Sequence, residues 1–152
     1  MNRCDFCDSD VIAKQRVYED DLIVAIYPKK SIIFHHIIVF PKKHFHLISD
    51  IPPEETVRIN QVFEKIYLNF KNEKNCIGFN LTSNNGSPKI GQTIPHCHFH
   101  MYLRFDDETI SPYKVINDPT LKEVLTPEEW KSRKETISEI INRECPKQPY
   151  YY

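Results

Sequence analysis

The chain contains little glycine, no long apolar run and no excess of basic residues. Only three of its 152 residues are glycine, and two of these, Gly86 and Gly91, lie in one short stretch. No apolar run reaches the roughly 18 residues that a membrane-spanning helix needs, so no membrane span is expected. The formal net charge is −1, and no cluster of Lys and Arg stands out. These absences argue against a dedicated nucleic-acid surface, but they leave room for a small anionic ligand.

No secretory leader is expected at the amino terminus, because Met1 to Cys4 are followed by acidic and polar residues. The chain has five cysteines, an odd number, and Cys4 and Cys7 form a Cys-x-x-Cys pair. These features favour a reducing, cytoplasmic location and a metal site over a disulfide framework. With 152 residues and 40% hydrophobic content, the chain is expected to form one compact domain and a tail.

The most informative stretch is the run 96–104, in which polar and apolar residues alternate. A period of two predicts a strand. His96, His98 and His100 then share one face with Tyr102, and the opposite face is apolar. Imidazole can serve as a nucleophile, a proton shuttle or a metal ligand near neutral pH. A row of such side chains costs stability unless a ligand, a metal or a hydrogen-bond network holds it, so the run predicts a functional site.

The residues before this run predict a loop that can bind an anion. The stretch 84–95 is rich in Asn, Gly, Ser and Pro, which are typical of loops. Glycine lets backbone N–H groups approach an anion closely, and Asn84, Gln92 and Thr93 add neutral donors. Such a loop suits a phosphate that is to be attacked, although by itself it is equally consistent with an ordinary hairpin.

Periodicity predicts the remaining elements of the first two-thirds of the chain. Strands are expected at 14–18, 22–27, 36–40 and 76–83, in addition to 96–104. A helix is expected after Asp50 as its cap, with Pro52 and Pro53 in its first turn. The core-facing stripe of this helix comprises Ile59, Val62, Phe63, Ile66, Tyr67 and Phe70. The order β-β-β-α-β-β predicts an α+β domain with an antiparallel sheet.

A second helix is predicted near the carboxy terminus, after a polar, irregular stretch at 106–119. Thr126 and Glu129 have the spacing of a capping box, and Pro127 would occupy the first helical position. The helix is expected to run to about Arg143 and to pack on the sheet or on a partner chain. One side of it carries Trp130, Lys134, Ile137 and Ile141.

Several blocks of the sequence resemble the histidine-triad (HIT) family. The run Gly91-Gln92-Thr93-Ile94-Pro95-His96-Cys97-His98-Phe99-His100 resembles the family signature, in which three histidines alternate with apolar residues. The run from His36 to His44 resembles the family strand that ends in Pro-Lys-x-His. Cys4-Asp5-Phe6-Cys7 resembles the Cys-x-x-Cys of zinc-containing members, and the segments 78–80 and 84–86 resemble the strand and loop before the triad. The resemblance covers about residues 4–105, so we divide the chain into a HIT domain at 1–105 and a carboxy-terminal extension with one helix at 106–152.

The resemblance implies a fold and a partner. It implies a HIT-like antiparallel β-sheet of about five strands with a packed helix, to which the carboxy-terminal helix is added. It implies a small-molecule nucleotide as the substrate. Because HIT domains commonly pair, it also implies a homodimer.

The resemblance further implies a mechanism. His98 would attack an α-phosphorus and form a transient nucleotidyl-histidine, which water resolves. His100 and His36 would complete the polar network that orients His98 and stabilises its charge. The groups that contact the phosphate, or the ribose edge, would be Gln92, Thr93 and Asn84.

A metal site is expected at the amino terminus. Cys4 and Cys7 are spaced so that both thiolates can reach one ion. A structural zinc site has four N or S ligands and no second Cys-x-x-Cys follows, so two histidines are expected to complete it. By resemblance to zinc-containing relatives these are His44 and His96, with His46 as the alternative to His44. Structural Zn²⁺ bound there would tie the amino terminus to two strands.

Two positions depart from the family pattern and bear on the substrate. Many nucleoside-binding relatives carry an Asp at the end of the second strand, where it accepts from the ribose hydroxyls. Here the stretch reads Ala25-Ile26-Tyr27-Pro28-Lys29 and has no acid. The residue before His36 is often Gly in the family but is His35 here, and we expect its side chain to point away from the site. The tail also lacks the short Trp-ending carboxy terminus of one phosphoramidase branch.

Three hypotheses about function follow. The first is a nucleotide hydrolase that acts at the α-phosphorus of a nucleoside phosphoramidate, a dinucleoside polyphosphate or a similar compound. The second is a nucleotidyltransferase that uses the same His98 intermediate but another acceptor. The third is a zinc-stabilised protein that binds a nucleotide without turnover. An intact triad with Gln92 and Thr93 favours catalysis over binding, and no readable motif separates hydrolase from transferase.

Overall fold

The computed structural model describes residues 3–144. Its strands are Arg16–Glu19 (β1), Ile23–Ile26 (β2), His36–Pro41 (β3), Cys76–Thr82 (β4) and Phe99–Phe105 (β5). Its helices are Ser9–Gln15 (α1), Pro53–Lys74 (α2), Pro112–Asn117 (α3) and Pro127–Ile141 (α4). The strands form one antiparallel sheet in the order β1-β2-β3-β5-β4. This confirms the predicted α+β class with a five-stranded antiparallel sheet, a packed helix and a carboxy-terminal helix.

The two central strands, β3 and β5, are distant in sequence and adjacent in the sheet. His36 lies opposite Tyr102, and Ile38 lies opposite His100. Because side chains alternate along a strand, these four residues share one face. The other face of the sheet carries the main apolar core, which includes Ala25, Tyr27, Ile37, Val39, Met101 and Leu103. Pairing of β3 with β5 therefore brings His36 to the histidine run.

Helix α2 covers the core face of the sheet. Its buried residues include the predicted positions Ile59, Val62, Phe63, Ile66 and Phe70, and Tyr67 is partly buried against them. Each such apolar side chain contributes about 1.5–3 kcal/mol when fully buried. The helix ends where Asn75 adopts a left-handed conformation with φ 59°.

The start of α2 differs from the prediction. Its first helical residue is Pro53 and its N-cap is Pro52, so Asp50 is not the cap. Asp50 closes a short 3-10 turn at Ile48–Asp50, and its carboxylate accepts from the backbone N–H of Leu47 at 2.9 Å. Proline has no backbone N–H, so the two prolines leave no unpaired donor at these positions, and the helix begins without a side-chain cap.

Two strand boundaries also differ from the prediction. The segment before β1 forms helix α1, because Asp8 caps it by accepting from the N–H groups of Asp10 and Val11. Strand β5 begins at Phe99 and not at His96. The N–H of Cys97 donates instead to the carbonyl of Phe45, which lies outside the sheet, at 2.6 Å. The first two histidines of the run therefore precede the strand, although Cys97 still points into the core.

The extension packs back on the domain. Helix α4 begins with the predicted capping box of Thr126 and Glu129 and contacts β1 and α2. Its buried residues are Ile137, Ile140 and Ile141, and the Asn69 side chain donates to the carbonyl of Ile141 at 2.9 Å. The predicted number of helices in the extension, one, was too small, because α3 precedes α4. Residues 145–152 of the predicted extension lie outside the described part of the chain, and the division at residue 105 stays a proposal.

Among residues 3–144, no helix combines the length and the apolar content that crossing a membrane requires.

Candidate active site and metal centre

His36 and His100 form a hydrogen-bonded pair in the middle of the sheet. The Nε2 atom of His36 lies 2.9 Å from Nδ1 of His100. The backbone N–H of Ile32 donates to Nδ1 of His36 at 3.4 Å, so the proton of a neutral His36 lies on Nε2. His36 then donates to His100, and the proton of a neutral His100 lies on its own Nε2. The pair therefore leaves one N–H donor, on His100 Nε2.

His98 is held in the complementary state. Its Nδ1 lies 2.8 Å from the carbonyl oxygen of His96, and a carbonyl can only accept, so Nδ1 carries the proton. Its Nε2 then carries a lone pair, and no group within residues 3–144 donates to it. The ring is 4% exposed and packs edge-on against Phe6 and His100, with centroids 5.1 Å from each. The site thus offers one free lone pair beside one N–H donor.

All three imidazoles are held in the neutral form. Burial lowers the pKa of His98 below its usual value and lowers the pKa of His100 to about 4. Burial, followed by the charges of His100 and Lys122, lowers the pKa of His36 well below its usual range. At neutral pH the lone pair on His98 is therefore available, which is the state that a nucleophile requires.

Gln92 holds the loop that leads into the histidine run. Its side chain is 1% exposed, accepts from the N–H of Gly86 at 2.6 Å and donates to the carbonyl of His46 at 2.7 Å. Both polar ends of the amide are therefore engaged by backbone. In this arrangement Gln92 positions the loop, and its predicted contact with a phosphate stays a proposal.

Asn84 and Thr93 lie on different sides of the loop. Asn84 lines a pocket of about 500 Å³ together with His100. A Cβ at Gly91 would lie 2.8 Å from the Asn84 amide nitrogen, and the backbone there has φ 106°, so glycine permits this close approach. Thr93 is exposed and lines a second depression of about 690 Å³ beside His46. The structure therefore brings Asn84, but not Thr93, into one pocket with His100.

The four predicted metal ligands meet near the amino terminus. The ligand atoms of Cys4, Cys7, His44 and His96 all lie within 4.8 Å of one another. The sulfur of Cys7 lies 3.3 Å from Nδ1 of His44, and both sulfurs lie 3.5 Å from Nδ1 of His96. Two thiols and two imidazoles form the donor set of a tetrahedral zinc site. The alternative ligand His46 lies elsewhere, with its Nε2 atom 3.3 Å from the carbonyl of Gly86.

The protonation of this cluster also fits a metal ion. His96 uses Nε2 to donate to the carbonyl of Pro41 at 2.7 Å, so its Nδ1 turns a lone pair toward the sulfurs. Burial lowers the pKa of His96 to about 4 and keeps it neutral. The pKa of the Cys7 thiol is raised to about 11, first by loss of solvation and then by the adjacent Cys4. A cation would reverse that shift, because it stabilises thiolates.

His35 points away from the three imidazoles, as expected, but it does not reach solvent freely. It packs among Phe34, Phe70 and Phe105, with centroids 4.4–5.5 Å from its own. Burial lowers its pKa to about 4. It is therefore a neutral, partly buried residue on the opposite side of the sheet from His36.

The end of β2, where the family acid is missing, is occupied by the extension. The indole of Trp130 stacks on Tyr27 and donates to the carbonyl of Pro28 at 3.1 Å. Tyr27 is fully buried, and its hydroxyl donates to the carbonyl of Phe34 at 2.9 Å. No carboxylate replaces the missing acid at Pro28 itself.

The comparisons with known proteins identify the family. The HIT domain family matches residues 9–107, and the chain belongs to it. An uncharacterised HIT-like protein of Methanocaldococcus jannaschii is 29% identical over 126 residues, which span 80% of this chain and 95% of that protein. The adenylylsulfatase of Arabidopsis thaliana is 26% identical over 126 residues, which span 80% of this chain and 62% of that protein.

Solved structures share the fold. A zinc-bound histidine triad family protein from Mycobacterium smegmatis superposes with a TM-score of 0.69 at 21% identity, covering 91% of this chain and 92% of that one. The diadenosine triphosphate hydrolase of Plasmodium falciparum, in complex with cyclomarin A, gives a TM-score of 0.58 at 21% identity, covering 83% and 78%. Together with the cluster of Cys4, Cys7, His44 and His96, these findings confirm the resemblance to zinc-containing HIT proteins.

Sequence reasoning missed the contribution of the extension to this face of the sheet. Val115 of α3 is fully buried against Ile33 and Tyr102, close to His36. Lys122 lines the same pocket as His100. The segment 106–119 looks like an irregular linker by composition, but it contains two sequence signals, the apolar pair at 115 and 116 and the Ser111-Pro112 pair at the start of α3.

Proposed function

We propose that this protein is a nucleotide hydrolase that cleaves at an α-phosphorus through a nucleotidyl intermediate on His98. The observation that carries the proposal is the contact of His98 Nδ1 with the His96 carbonyl, which leaves the lone pair on Nε2, to which no group among residues 3–144 donates. A neutral imidazole held in this way is an activated nucleophile.

The proposed reaction has two steps. In the first, His98 Nε2 bonds to the α-phosphorus while the bond from phosphorus to the leaving group breaks and the leaving group departs with its electron pair. The ring becomes a cation, and the Nδ1–H hydrogen bond to the His96 carbonyl stabilises it. In the second step, water attacks the same phosphorus, the P–N bond breaks, a proton passes to solvent, and His98 returns to the neutral form.

The neighbouring histidine pair supports the transition state. The N–H that remains on His100 Nε2 can donate to a phosphoryl oxygen as negative charge develops there. His36 holds His100 in that tautomer, so it acts as a positioning residue. Asn84, in the same pocket as His100, supplies a further amide donor.

The comparisons support a nucleotide substrate. The name of the Arabidopsis relative denotes action on adenylyl sulfate, and that of the Plasmodium structure denotes action on diadenosine triphosphate. Both compounds contain adenylate joined to a leaving group at its phosphorus. Attack by His98 on that phosphorus would break the bond to the leaving group. We propose the same class of substrate here.

We also propose that Cys4, Cys7, His44 and His96 hold one structural zinc ion. The donor set and the orientation of the His96 lone pair support it, as does the zinc-bound relative from Mycobacterium smegmatis. The ion would supply no chemistry to the substrate. It would hold the amino terminus, and with it Phe6, against His98.

The deciding experiment is product identification in isotopic water. The protein is incubated with adenylyl sulfate, diadenosine triphosphate and adenosine phosphoramidate, and rapid quenching is followed by mass spectrometry of intact protein and products. A hydrolase gives adenylate that carries oxygen from water and a transient mass increase that disappears in His98→Ala. Transfer of the nucleotide to an added alcohol or phosphate in preference to water would support a transferase. Absence of turnover and of adduct on all three compounds would leave a binding protein.

The oligomeric state is a separate proposal. Strand β4 is an edge of the sheet, and its Ile77 and Leu81 side chains are 56% and 41% exposed. An edge with free backbone groups and exposed apolar side chains is completed when a second strand pairs with it. We propose that two copies pair there, and that Leu81→Lys gives monomers by light scattering. A monomeric wild-type protein at micromolar concentration would contradict this.

A further inference from the structure

The extension crosses the face of the sheet that carries the histidines. Arg104 on β5 anchors its first part, donating to the carboxylate of Glu108 at 2.6 Å and to the carbonyl of Ile110. Val115 then inserts against Ile33 and Tyr102 and is fully buried. These contacts place the residues that follow α3 over the site.

A pocket of about 500 Å³ lies between the extension and the sheet. Its sheet side includes His100, Tyr102 and Thr82, and Asn84 comes from the loop. Its other wall comes from the extension and consists of Asn117, Asp118 and Lys122. His100 lines the pocket and its ring centroid lies 5.1 Å from that of His98, so a group bonded to a phosphorus at His98 would extend into it.

The charge that the histidines experience from this wall is positive. Lys122 contributes to lowering the pKa of both His36 and His100, after burial and the neighbouring histidine. Asp118 has no comparable influence on them, and its carboxylate already accepts from the backbone N–H and the hydroxyl of Thr120 at 2.9 and 2.5 Å. Within residues 3–144 no carboxylate forms a salt bridge with Lys122.

We propose that Lys122 binds an anionic leaving group, so that the protein selects nucleoside 5′-phosphate anhydrides, with a phosphate or sulfate beyond the α-phosphorus, over phosphoramidates, whose amine leaving group carries no negative charge. The nucleoside itself carries no charge for a cation to recognise, whereas a phosphate or sulfate does. The inference rests on the proposed function, because it assigns the leaving-group side of the His98 site.

Binding without turnover gives the first test. Affinities for adenylate and for its α,β-methylene diphosphate analogue are measured by calorimetry, since the methylene bridge cannot be hydrolysed. The wild type is expected to bind the analogue more tightly, and Lys122→Met is expected to lower that preference by roughly tenfold, the scale of one hydrogen bond to an ion. Lys122→Arg should keep it. Lys131→Met, the same charge change on the exposed side of α4, should also keep it.

Turnover gives the second test. Lys122→Met is expected to lower kcat/KM for adenylyl sulfate by roughly tenfold and to leave adenosine phosphoramidate within about twofold. Equal losses on both substrates would show that the residue only supports the pocket, and that result overturns the inference. Unchanged binding preference and unchanged kinetics overturn it as well. If no variant or wild-type protein forms an adduct on His98 but the binding preference depends on Lys122, the anion site stands and the proposed catalysis fails.

Discussion

His96 and His98 are two residues apart in the same run, yet they present opposite ring nitrogens to different partners. His96 uses Nε2 to donate to the Pro41 carbonyl and directs Nδ1 toward the two thiols. His98 uses Nδ1 to donate to the His96 carbonyl, and no donor in the described range 3–144 reaches its Nε2. The carbonyl that each ring meets therefore decides which nitrogen carries a lone pair. Two histidines of one motif become suited to metal binding and to nucleophilic attack by this single difference.

The two regions are also joined physically. The His96 carbonyl that orients His98 belongs to the residue whose ring lies in the metal cluster, and Phe6, from between the cysteines, packs on both rings. Loss of the metal should therefore disturb catalysis indirectly, through position, whereas loss of the His98 ring should remove it directly. The predictions that follow test this difference.

The largest effect is expected for His98→Ala. Removal of the proposed nucleophile should lower kcat by at least roughly a thousandfold. Because the ring makes no metal contact, the melting temperature and the zinc content should change little. Steady-state kinetics, thermal denaturation and metal analysis on one preparation would check this, and a near wild-type rate would exclude His98 as the nucleophile.

Cys4→Ser should show the opposite pattern. It should reduce zinc content below one ion per chain and lower Tm by roughly 5–10 °C, since about 1 kcal/mol shifts Tm by 2–4 °C in a chain of this size. The rate should fall far less than in His98→Ala. The matched control is Asp5→Asn, an exposed change between the two cysteines. If purified wild-type protein contains no zinc and Cys4→Ser melts normally, the assignment of His96 to a metal site is wrong.

A third histidine, His35, tests how burial alone changes the pH dependence of stability. The pKa of His35 is lowered to about 4 by burial, whereas in the unfolded chain it is about 6.5. Between these values the unfolded state binds a proton that the folded state does not, so His35 makes stability fall as pH falls from about 6.5 to about 4. His35→Phe should flatten that decline in denaturant titrations at pH 7 and pH 5. An unchanged difference in unfolding free energy between the two pH values would contradict it.

The smallest effect concerns the sugar. The end of β2 carries no carboxylate, and Trp130 covers Pro28 there, so no acid at this position can accept from the ribose hydroxyls. Selectivity for ribo- over 2′-deoxyribo-nucleotides should stay within about tenfold in kcat/KM, or roughly 1.4 kcal/mol. Matched kinetics on adenosine and 2′-deoxyadenosine phosphoramidates would measure it. A ribo preference of a hundredfold or more would mean that another acceptor, such as Asn84, holds the sugar.

Several sequence predictions survive the structure because they depend on local pattern. The core stripe of α2, the capping box at Thr126 and the apolar face opposite the histidines all follow from periodicity and short-range hydrogen bonding. Others failed where a different hydrogen-bond partner intervened. Asp50 is a residue type that often caps helices, yet its carboxylate accepts from the Leu47 N–H instead. Strand β5 starts later than predicted because the N–H of Cys97 donates to the carbonyl of Phe45.

The roles of individual site residues divide in the same way. Gln92 is a predicted phosphate contact by sequence, and only the folded chain shows that its amide also positions the loop through the Gly86 N–H and the His46 carbonyl. His44 and His46 were equivalent by spacing, and the approach of the amino-terminal arm separates them. Lys122 had no motif to mark it, because its place over the site comes from the burial of Val115.

The sequence by itself determined the family, the alternating histidines and the chemistry of the four candidate metal donors, because these depend on residue type and short-range spacing. Only the tertiary structure decided which nitrogen of each histidine is free, which histidine joins the cysteines and what covers the substrate side of the site. Most of these depend on a carbonyl, a sulfur or a side chain that lies tens of residues away in the sequence, as Pro41 does from His96, whereas the carbonyl that His98 meets belongs to His96. Long-range packing brings such groups together, and no local pattern encodes their positions.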